Sequence, residues 1–275
     1  MKSLPILAGL VLAAPAGAEP LELFDDRPFI AITINGQRAT ALLDSAAEMT
    51  MLDDDFAGRL GLVATGGATA HGSGAAAMEA RFADHVAIVA VGAVLDRRVA
   101  ILDLGEVSAR LLGRDVDMLL GRDLFDAARL RIDYRAGTIA PFDGAPRGVR
   151  LPVGEHRGVP TFPASVDGRD PVEAVFDTGN GSDVLVGRAY AERVGLTAPE
   201  RIVDRSAGGG LGGARQQDVV VLRELRVAGR TFRNVRAVID PGASASDLNI
   251  GTSILRHFHI VTDFPNRSIW LEPIP

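Results

Sequence analysis

Two aspartates, Asp44 and Asp177, occupy the same place in two similar stretches of the sequence. Each follows a short apolar run, Ala-Leu-Leu at 41–43 and Ala-Val-Phe at 174–176. A lone charge is costly to bury after such a run, because the protein must replace the hydration that the carboxylate loses. An aspartate in this position can mark the turn at the end of a strand, or it can be half of a catalytic pair.

The chemistry that two such aspartates would perform together is the acid–base hydrolysis of an amide bond. Two carboxyl groups held close together cannot both ionise, so one pKa rises and the pair shares a proton. Such a pair can accept a proton from a water while it donates another to the carbonyl oxygen of a peptide. The two apparent pKa values would then belong to the pair rather than to either aspartate alone.

The elements around the two aspartates form an internal repeat that covers most of the chain. Each half has an alternating strand, a turn at residues 35–36 (Asn-Gly) or 167–168 (Asp-Gly), and a second strand that ends at the aspartate. Asn-Gly and Asp-Gly pairs are strong hairpin signals. A short helix follows in each half and ends at Gly61 or Gly195, 17 residues after the first aspartate and 18 after the second.

The repeat continues through a glycine-rich stretch and a later apolar-glycine turn in each half. The turns contain Gly121, 77 residues after the first aspartate, and Gly251, 74 residues after the second. This agreement in order and spacing predicts two mostly-β halves, residues 19–145 and 146–275. The glycine-rich stretches include Gly72, Ser73 and Gly74 in the first half and Gly208, Gly209 and Gly210 in the second.

The N-terminus predicts an exported, periplasmic protein. Lys2, an apolar run and the small residues 16–18 (Ala-Gly-Ala) have the pattern of a signal peptide over residues 1–18, with cleavage near Ala18. The alternative is a buried N-terminal helix. The apolar run is too short to span a bilayer, so we expect no membrane span.

Composition argues against several other classes of protein. The chain has no cysteine, which excludes disulfides and zinc–cysteine sites, and its five histidines form no ligand set, so we expect no metal and no cofactor. The arginines are scattered among acidic residues in a chain of net charge −6, which argues against a nucleic-acid partner. The stretch 208–213 fits a dinucleotide-binding pattern but does not clearly open a helix after a strand.

The motifs resemble those of the retropepsin-like aspartic proteases, in a bacterial form with two repeats fused in one chain. The residues that carry the resemblance are Asp177-Thr178-Gly179 in the second half and Leu119-Leu120-Gly121 in the first. In that family, Asp-Thr/Ser-Gly ends one strand and a later hydrophobic-hydrophobic-glycine turn threads beside it. The resemblance implies a mostly-β fold of two barrel halves related by a pseudo-two-fold axis, each with one or two short helices.

The resemblance also implies roles for single residues. Asp44 and Asp177 would be the catalytic pair, and the hydroxyls of Ser45 and Thr178 would bond the opposite loop and keep the carboxylates coplanar. The glycine-rich stretches would be flaps that close over a peptide or protein substrate bound in an extended conformation, with a surface loop as the alternative. One chain that carries both halves predicts a monomer containing an intramolecular pseudo-dimer.

Two residues depart from the family pattern. Ala46 stands where the second half has Gly179, and Asn249 stands where an apolar residue is usual. If the loop needs a glycine-only conformation, the alanine costs on the order of 1–2 kcal/mol, and its methyl could also intrude on the cleft floor.

Three hypotheses therefore stay open: an aspartic endopeptidase, a protease-like module that binds an extended peptide or an envelope partner without cutting it, and a tandem scaffold whose halves each dimerise with another chain.

Overall fold

The computed structural model describes residues 17–243 and 245–275. The predicted signal peptide therefore lies almost entirely outside the described residues. The described helices are α1 (Asp54–Arg59), α2 (Gly105–Val107), α3 (Arg122–Ala127), α4 (Arg188–Arg193) and α5 (Thr252–Leu255), with a π-helical turn over Ser108–Leu112 and a 3-10 turn over Pro199–Arg201. The strands of the first half are β1 (Glu19–Phe24), β2 (Arg27–Ile34), β3 (Gln37–Leu43), β4 (Met51–Asp53), β5 (Thr65–His71), β6 (Ala77–Ala90), β7 (Ala93–Leu102), β8 (Met118–Leu120), β9 (Leu130–Asp133) and β10 (Thr138–Pro141). Those of the second half are β11 (Val149–Pro152), β12 (Gly154–His156), β13 (Val159–Val166), β14 (Val172–Phe176), β15 (Val184–Gly187), β16 (Ile202–Gly208), β17 (Arg215–Val227), β18 (Arg230–Asp240), β19 (Leu248–Ile250), β20 (Phe258–Asp263) and β21 (Ser268–Pro273).

Each half contains a closed six-stranded barrel, and the two barrels have the same strand order. The first runs β2-β3-β8-β4-β7-β6 and closes through a β2–β6 pairing. The second runs β13-β14-β19-β15-β18-β17 and closes through β13–β17. The predicted internal repeat is thus reproduced in the topology, strand for strand, and the mostly-β fold of two tandem halves is confirmed.

A shared sheet joins the two barrels. Its order is β11-β21-β20-β9-β10-β1, so three strands from the second half pair with three from the first. The junction is the antiparallel pairing of β20 with β9, where Ile260 lies opposite Ile132. β9, β10 and β1 of the first half correspond to β20, β21 and β11 of the second. Exchanging the corresponding strands leaves the order of the sheet unchanged, so the pseudo-two-fold axis passes between β20 and β9. The predicted boundary at residues 145–146 lies in the connection between β10 and β11, and it stays a prediction.

The two hairpin turns have the backbone conformation that their residue types favour. Asn35 and Asp167 both have a positive φ, at 49° and 51°, and a glycine of positive φ follows each of them. Asparagine and aspartate tolerate this left-handed conformation better than other side chains do. α1 is capped by Asp53, whose carboxylate accepts a hydrogen bond from the Phe56 amide at 3.1 Å. The two turns set the register of the strands that lead into the two aspartate loops.

An aromatic group in the core links the two halves below those loops. Phe125 of the first half stacks on Phe264 of the second at 5.3 Å between ring centroids, and Phe264 packs edge-on against Phe176 at 6.2 Å. Phe176 is 1% exposed and directly precedes Asp177, so core packing fixes the strand that presents that aspartate. Within the described residues, no helix has the length and apolar character needed to cross a membrane.

Candidate active site

Asp44 and Asp177 begin two loops with matching backbone contacts. β3 pairs in parallel with β8, and β14 pairs in parallel with β19. The Asp44 amide donates to the Leu120 carbonyl at 3.0 Å, and the Asp177 amide donates to the Ile250 carbonyl at 3.2 Å. Each aspartate is therefore held where its strand ends against the segment that comes just before Gly121 or Gly251.

Gly121 and Gly251 pass so close to the aspartate loops that a side chain would not fit. A Cβ added at Gly121 would lie 2.7 Å from the Ala47 carbonyl oxygen, and one at Gly251 would lie 2.0 Å from the Asn180 carbonyl oxygen. Both glycines have ordinary negative φ. Each position thus requires glycine because two backbone segments lie very close together, and not because its backbone conformation is unusual.

The hydroxyls of Ser45 and Thr178 tie the two loops to each other. The Ser45 amide donates to Thr178 Oγ1 at 2.9 Å, and the Thr178 amide donates to Ser45 Oγ at 3.0 Å. Ser45 Oγ donates to the Phe176 carbonyl at 2.7 Å, and Thr178 Oγ1 donates to the Leu43 carbonyl at 2.8 Å. Both hydroxyl residues are 0% exposed. The four bonds hold the strand ends of the two halves in a fixed relation, as the resemblance implies.

The two carboxyl groups lie together in this frame. A Cβ added at Gly179 would lie 2.5 Å from Asp44 Cγ, so the second loop directly contacts the carboxyl of the first. Burial and, to a smaller extent, the nearby Asp177 carboxylate raise the pKa of Asp44, the Ala46 and Ala47 amides oppose the rise, and the resulting pKa is about 7. Burial also raises the pKa of Asp177. A half-buried carboxyl pair with such raised pKa values retains a proton over a wide pH range.

The neighbours of the two carboxyls differ. Asp44 Oδ1 accepts a hydrogen bond from the Ala46 amide at 3.0 Å. Asp177 Oδ1 accepts one from the Asn180 amide at 3.0 Å, and its Oδ2 accepts another from Asn249 Nδ2 at 2.6 Å. Asn249 was noted in the sequence only as a departure from an apolar residue, and no role was predicted for Asn180. The signal that could have pointed to them was the presence of two amides at positions where the first half has Ala47 and Leu119.

Ala46 does not have the strained conformation that the sequence allowed for. Neither Ala46 nor Gly179 has a positive φ. The expected cost of a methyl in a glycine-only conformation is therefore absent, because the backbone at this position is accessible to any residue. A methyl is excluded at Gly179 instead, because a Cβ there would collide with the Asp44 carboxyl.

The glycine-rich stretches are the tips of two β-hairpins that meet. β5 and β6 form the first hairpin with its tip at 72–76, and β16 and β17 form the second with its tip at 209–214. The Gly74 amide donates to the Leu211 carbonyl at 2.8 Å, and the Ala76 amide donates to the Gly212 carbonyl at 2.7 Å. Ser73 Oγ accepts from the Gly210 amide at 2.9 Å. We call these tips the first and second flap tips.

Two arginines, which the sequence did not single out, hold the flap tips. Arg110 lies in the π-helical turn of the first half and donates to the carbonyls of Gly209 and Gly210, at 3.0 Å and 2.7 Å. Arg215 lies at the base of the second flap tip and donates to the Gly74 carbonyl at 2.7 Å. A cavity of about 460 Å³ lies beside the tips, lined by Met78, Glu79, Asp103, Glu106, Val107 and Leu211 among others.

One group of acids among the described residues has the spacing of metal ligands. It consists of Asp53, Asp54 and Asp103. The Asp53 carboxylate already caps α1 and accepts from the Leu104 amide at 3.2 Å. Exposed carboxylates of this kind are common at helix N-termini, where they complement the helix dipole. The arrangement is thus accounted for by local structure.

The fold and the paired loops define a class of protein: a pseudo-two-fold acid protease architecture in one chain, with a carboxyl pair where the halves meet. A family model for aspartyl proteases matches the chain over residues 30–124 and 162–254, one match in each half. The chain belongs to the aspartyl protease family, which confirms the resemblance. Comparison with curated proteins gave no significant match. Membership supports a protease-like, hydrolytic kind of function.

Proposed function

We propose that the protein is an aspartic endopeptidase that hydrolyses peptide bonds with a water activated between Asp44 and Asp177. The single observation that carries the proposal is the carboxyl pair with raised pKa values, held by reciprocal bonds between Ser45 and Thr178. A fixed pair that shares one proton supplies a general base and a general acid at the same time. Because the two carboxyls are held in place, neither has to move before the base and the acid act on the same peptide bond.

The proton balance of the reaction closes within the pair. The ionised carboxylate accepts a proton from the water as the water oxygen bonds to the scissile carbonyl carbon, and the protonated carboxyl donates to the carbonyl oxygen. When the tetrahedral intermediate collapses, the first carboxyl gives its proton to the leaving nitrogen and the C–N bond breaks. A hydroxyl of the intermediate returns a proton to the second carboxylate, which restores the starting state.

The substrate is an extended peptide that lies between the carboxyl pair and the two flap tips. Hairpin tips offer backbone amides and carbonyls, which recognise an extended chain by strand-like hydrogen bonds. In the structure these groups are satisfied by the opposite tip, at Gly74–Leu211 and Ala76–Gly212. Binding therefore exchanges bonds between the tips for bonds to the peptide, and the tips must part to admit it.

The proposal includes export to the periplasm and action as a monomer. It is supported by the signal-peptide pattern over residues 1–18 and by β1, which begins at Glu19, directly after the predicted cleavage site. Both aspartates of the pair come from one chain, so no second copy is needed to complete the site. The intact mass of the protein recovered from the periplasm tests whether the signal peptide is removed. Sedimentation analysis tests whether the protein is a monomer, and an obligate dimer would favour the tandem-scaffold hypothesis.

The decisive test is cleavage of a quenched-fluorescence peptide library by the wild type, Asp44→Asn and Asp177→Asn. We expect cleavage by the wild type and a loss of at least about 1,000-fold in kcat/KM for either variant, because each removes one partner in proton transfer. Glu48→Gln is the matched control, since Glu48 is an exposed carboxylate in the same loop. Peptide binding without cleavage by the wild type would instead support the binding module.

A further inference from the structure

Asn249 differs from its counterpart in the first half in what it offers the carboxyl pair. Asn249 lies opposite Val175 in the β14–β19 pairing, as Leu119 lies opposite Leu42 in β3–β8. Leu119 is 4% exposed and belongs to an apolar cluster that also contains Phe29 and Leu42. The first half thus presents a hydrocarbon side chain where the second half presents an amide that bonds Asp177 Oδ2 at 2.6 Å.

The direction of that hydrogen bond is fixed by a chain of donors that starts at a backbone amide. The Ser182 amide can only donate, and it donates to Asn180 Oδ1 at 2.9 Å. Asn180 must therefore present its NH2 group to Asn249 Oδ1, at 2.9 Å. Asn249 in turn must present its own NH2 group to Asp177. The oxygen and nitrogen of both amides are assigned by this network, so the group that faces Asp177 is a donor.

A donor at this place favours the ionised form of Asp177. Its Oδ2 accepts from Asn249 and its Oδ1 accepts from the Asn180 amide, so both oxygens already act as acceptors. Hydrogen bonds to the charged form lower a carboxyl pKa. Asp44 has the Ala46 amide on Oδ1, and the Ala47 amide also favours its charged form. Among the described residues no side-chain donor bonds the Asp44 carboxyl, so the amide of Asn249 is what distinguishes the two.

Three other titratable or charged groups lie around Asp177, and none of them favours its protonation over that of Asp44. Arg27, which is 3% exposed on β2, packs against Gly181 of the second loop and opposes the rise in the pKa of Asp177. Tyr134 stays neutral, because burial raises its pKa and the Asp177 charge raises it further. The Asp177 carboxylate raises the pKa of Asp44. Arg27 also pairs with the Asp25 carboxylate at 2.9 Å, which offsets part of its charge. The donors of Asn249 and the Asn180 amide are therefore the main groups that favour the charged form of Asp177.

We propose that Asn249 is a positioning residue that keeps Asp177 as the proton-accepting carboxylate of the pair and leaves the shared proton on Asp44. Asp177 then takes the proton of the water, and Asp44 protonates the scissile carbonyl oxygen. The kinetic consequences rest on the proposed function, whereas the order in which the two carboxyls lose their protons does not.

The test is an NMR titration of protein with 13C-labelled aspartate carboxyls, from about pH 3 to about pH 9, which spans both carboxyl transitions. Asp44→Asn and Asp177→Asn assign the two signals. In the wild type we expect the Asp177 signal to titrate at lower pH than the Asp44 signal. The reverse order in the wild type would overturn the proposal without any substitution at Asn249.

The variant that isolates the amide is Asn249→Leu, which places in the second half the residue that the first half has at 119. We expect the lower titration midpoint to rise by about one pH unit, because one hydrogen bond to the charged form is lost. Leu119→Met is the matched control, since it changes the equivalent position without adding or removing a donor, and we expect no shift. Unchanged midpoints in Asn249→Leu would overturn the proposal.

Kinetics separate this inference from the proposed function. In Asn249→Leu we expect the acid limb of kcat/KM to move up by about one pH unit and kcat at low pH to fall about tenfold, with KM unchanged. A merely structural role would lower activity equally at every pH, and that result would count against the proposal. If the wild type cleaves no peptide, the proposed function fails while the titration still decides the role of Asn249.

Discussion

The two aspartate loops have the same backbone frame and different chemical surroundings. Residues 44–47 and 177–180 match in their strand-end contacts and in the reciprocal bonds of their hydroxyls. They differ at the third and fourth positions, Ala46-Ala47 against Gly179-Asn180, and in the facing residue of the parallel strand. The duplicated fold thus sets the geometry of the pair, while three unmatched positions make its two members unequal.

Apart from removal of the aspartates themselves, the largest expected effect comes from adding a methyl to the second loop. In Gly179→Ala the new Cβ would lie 2.5 Å from Asp44 Cγ and within 2.8 Å of both carboxylate oxygens. The carboxyl must move, and misplacement of a catalytic group by about 1 Å costs on the order of 100-fold in rate. We expect kcat/KM on a cleaved peptide to fall by about that factor.

The reciprocal substitution, Ala46→Gly, is the control for that prediction. Ala46 has no positive φ, and its methyl is already accommodated, so we expect kcat/KM to change by less than about threefold, as for a substitution without a steric conflict. The comparison would fail if both variants lost activity equally. It would also fail if Ala46→Gly gave a large gain, since the methyl would then be the obstacle that the sequence suggested.

The hydroxyl pair should behave symmetrically, in contrast to the carboxyls. Ser45→Ala and Thr178→Val each leave an amide and a carbonyl of the opposite loop without a partner in a fully buried site. We expect each to lower the free energy of unfolding by about 2–3 kcal/mol. Chemical denaturation measures this, with the exposed strand hydroxyl of Thr231→Val as a control that should change stability by less than about 0.5 kcal/mol.

The double variant tests whether the two hydroxyls act as a unit. Each hydroxyl accepts from the amide of the other residue, so Ser45→Ala already disturbs the geometry on which Thr178 depends. Residues in one hydrogen-bond network show strong coupling. We therefore expect the double variant to lose clearly less than the sum of the two single losses, and additive losses would mean that the loops are held independently.

These comparisons also show what the sequence could predict. The repeat with its spacings was enough to predict two mostly-β halves and to suggest Asp44 as the partner of Asp177, because period, turn residues and apolar strand ends are local signals. The barrels were implied only by the resemblance to the aspartic proteases. The meeting of the two flap tips was not predictable, since it depends on long-range contacts such as that of Arg110 with Gly209 and Gly210. The donor role of Asn249 was also missed, because a sequence shows the amide but not what it faces.

The raised pKa of Asp44 predicts a pH-dependent difference in stability. The pKa is about 7 in the folded protein against 3.8 for the unperturbed group, so between these values the folded state holds a proton that the unfolded chain releases. The free energy of unfolding therefore falls as pH rises from about 4 to about 7. Asp44→Asn removes this loss, and we expect it to be about 1–2 kcal/mol more stable than the wild type at about pH 8 and equal to it at about pH 4.

Asp177→Asn tests whether the second carboxyl affects the pH dependence of stability in the same way as the first. Asp177 is bonded in its charged form by Asn249 and the Asn180 amide, so neutralising it removes favourable contacts as well as a buried charge. We expect a smaller gain at high pH than for Asp44→Asn, measured by denaturation at both pH values with Glu48→Gln as the control. Equal increases in the free energy of unfolding for the two variants would mean that the surroundings of the two carboxyls do not differ in their effect on stability.

The smallest effect is expected at the flap tips, where the two halves again differ. Arg110 reaches the second tip from the first half, and Arg215 reaches the Gly74 carbonyl from the second. Arg110 is exposed and Arg215 is half-buried, so both bonds are partly open to solvent and removing either should weaken closure only slightly. We expect Arg110→Ala and Arg215→Ala to speed hydrogen exchange of the Gly74 and Ala76 amides, which bond the opposite tip, by about two- to fivefold.

Arg205→Ala is the control for these two variants, because Arg205 lies on β16 of the same hairpin but pairs with Asp218 rather than with the other tip. It should leave exchange at Gly74 and Ala76 unchanged. If Arg215→Ala alone had an effect, the bond between the tips would govern opening. If Arg110→Ala alone had one, the first half would control access to the pair by holding the flap of the second.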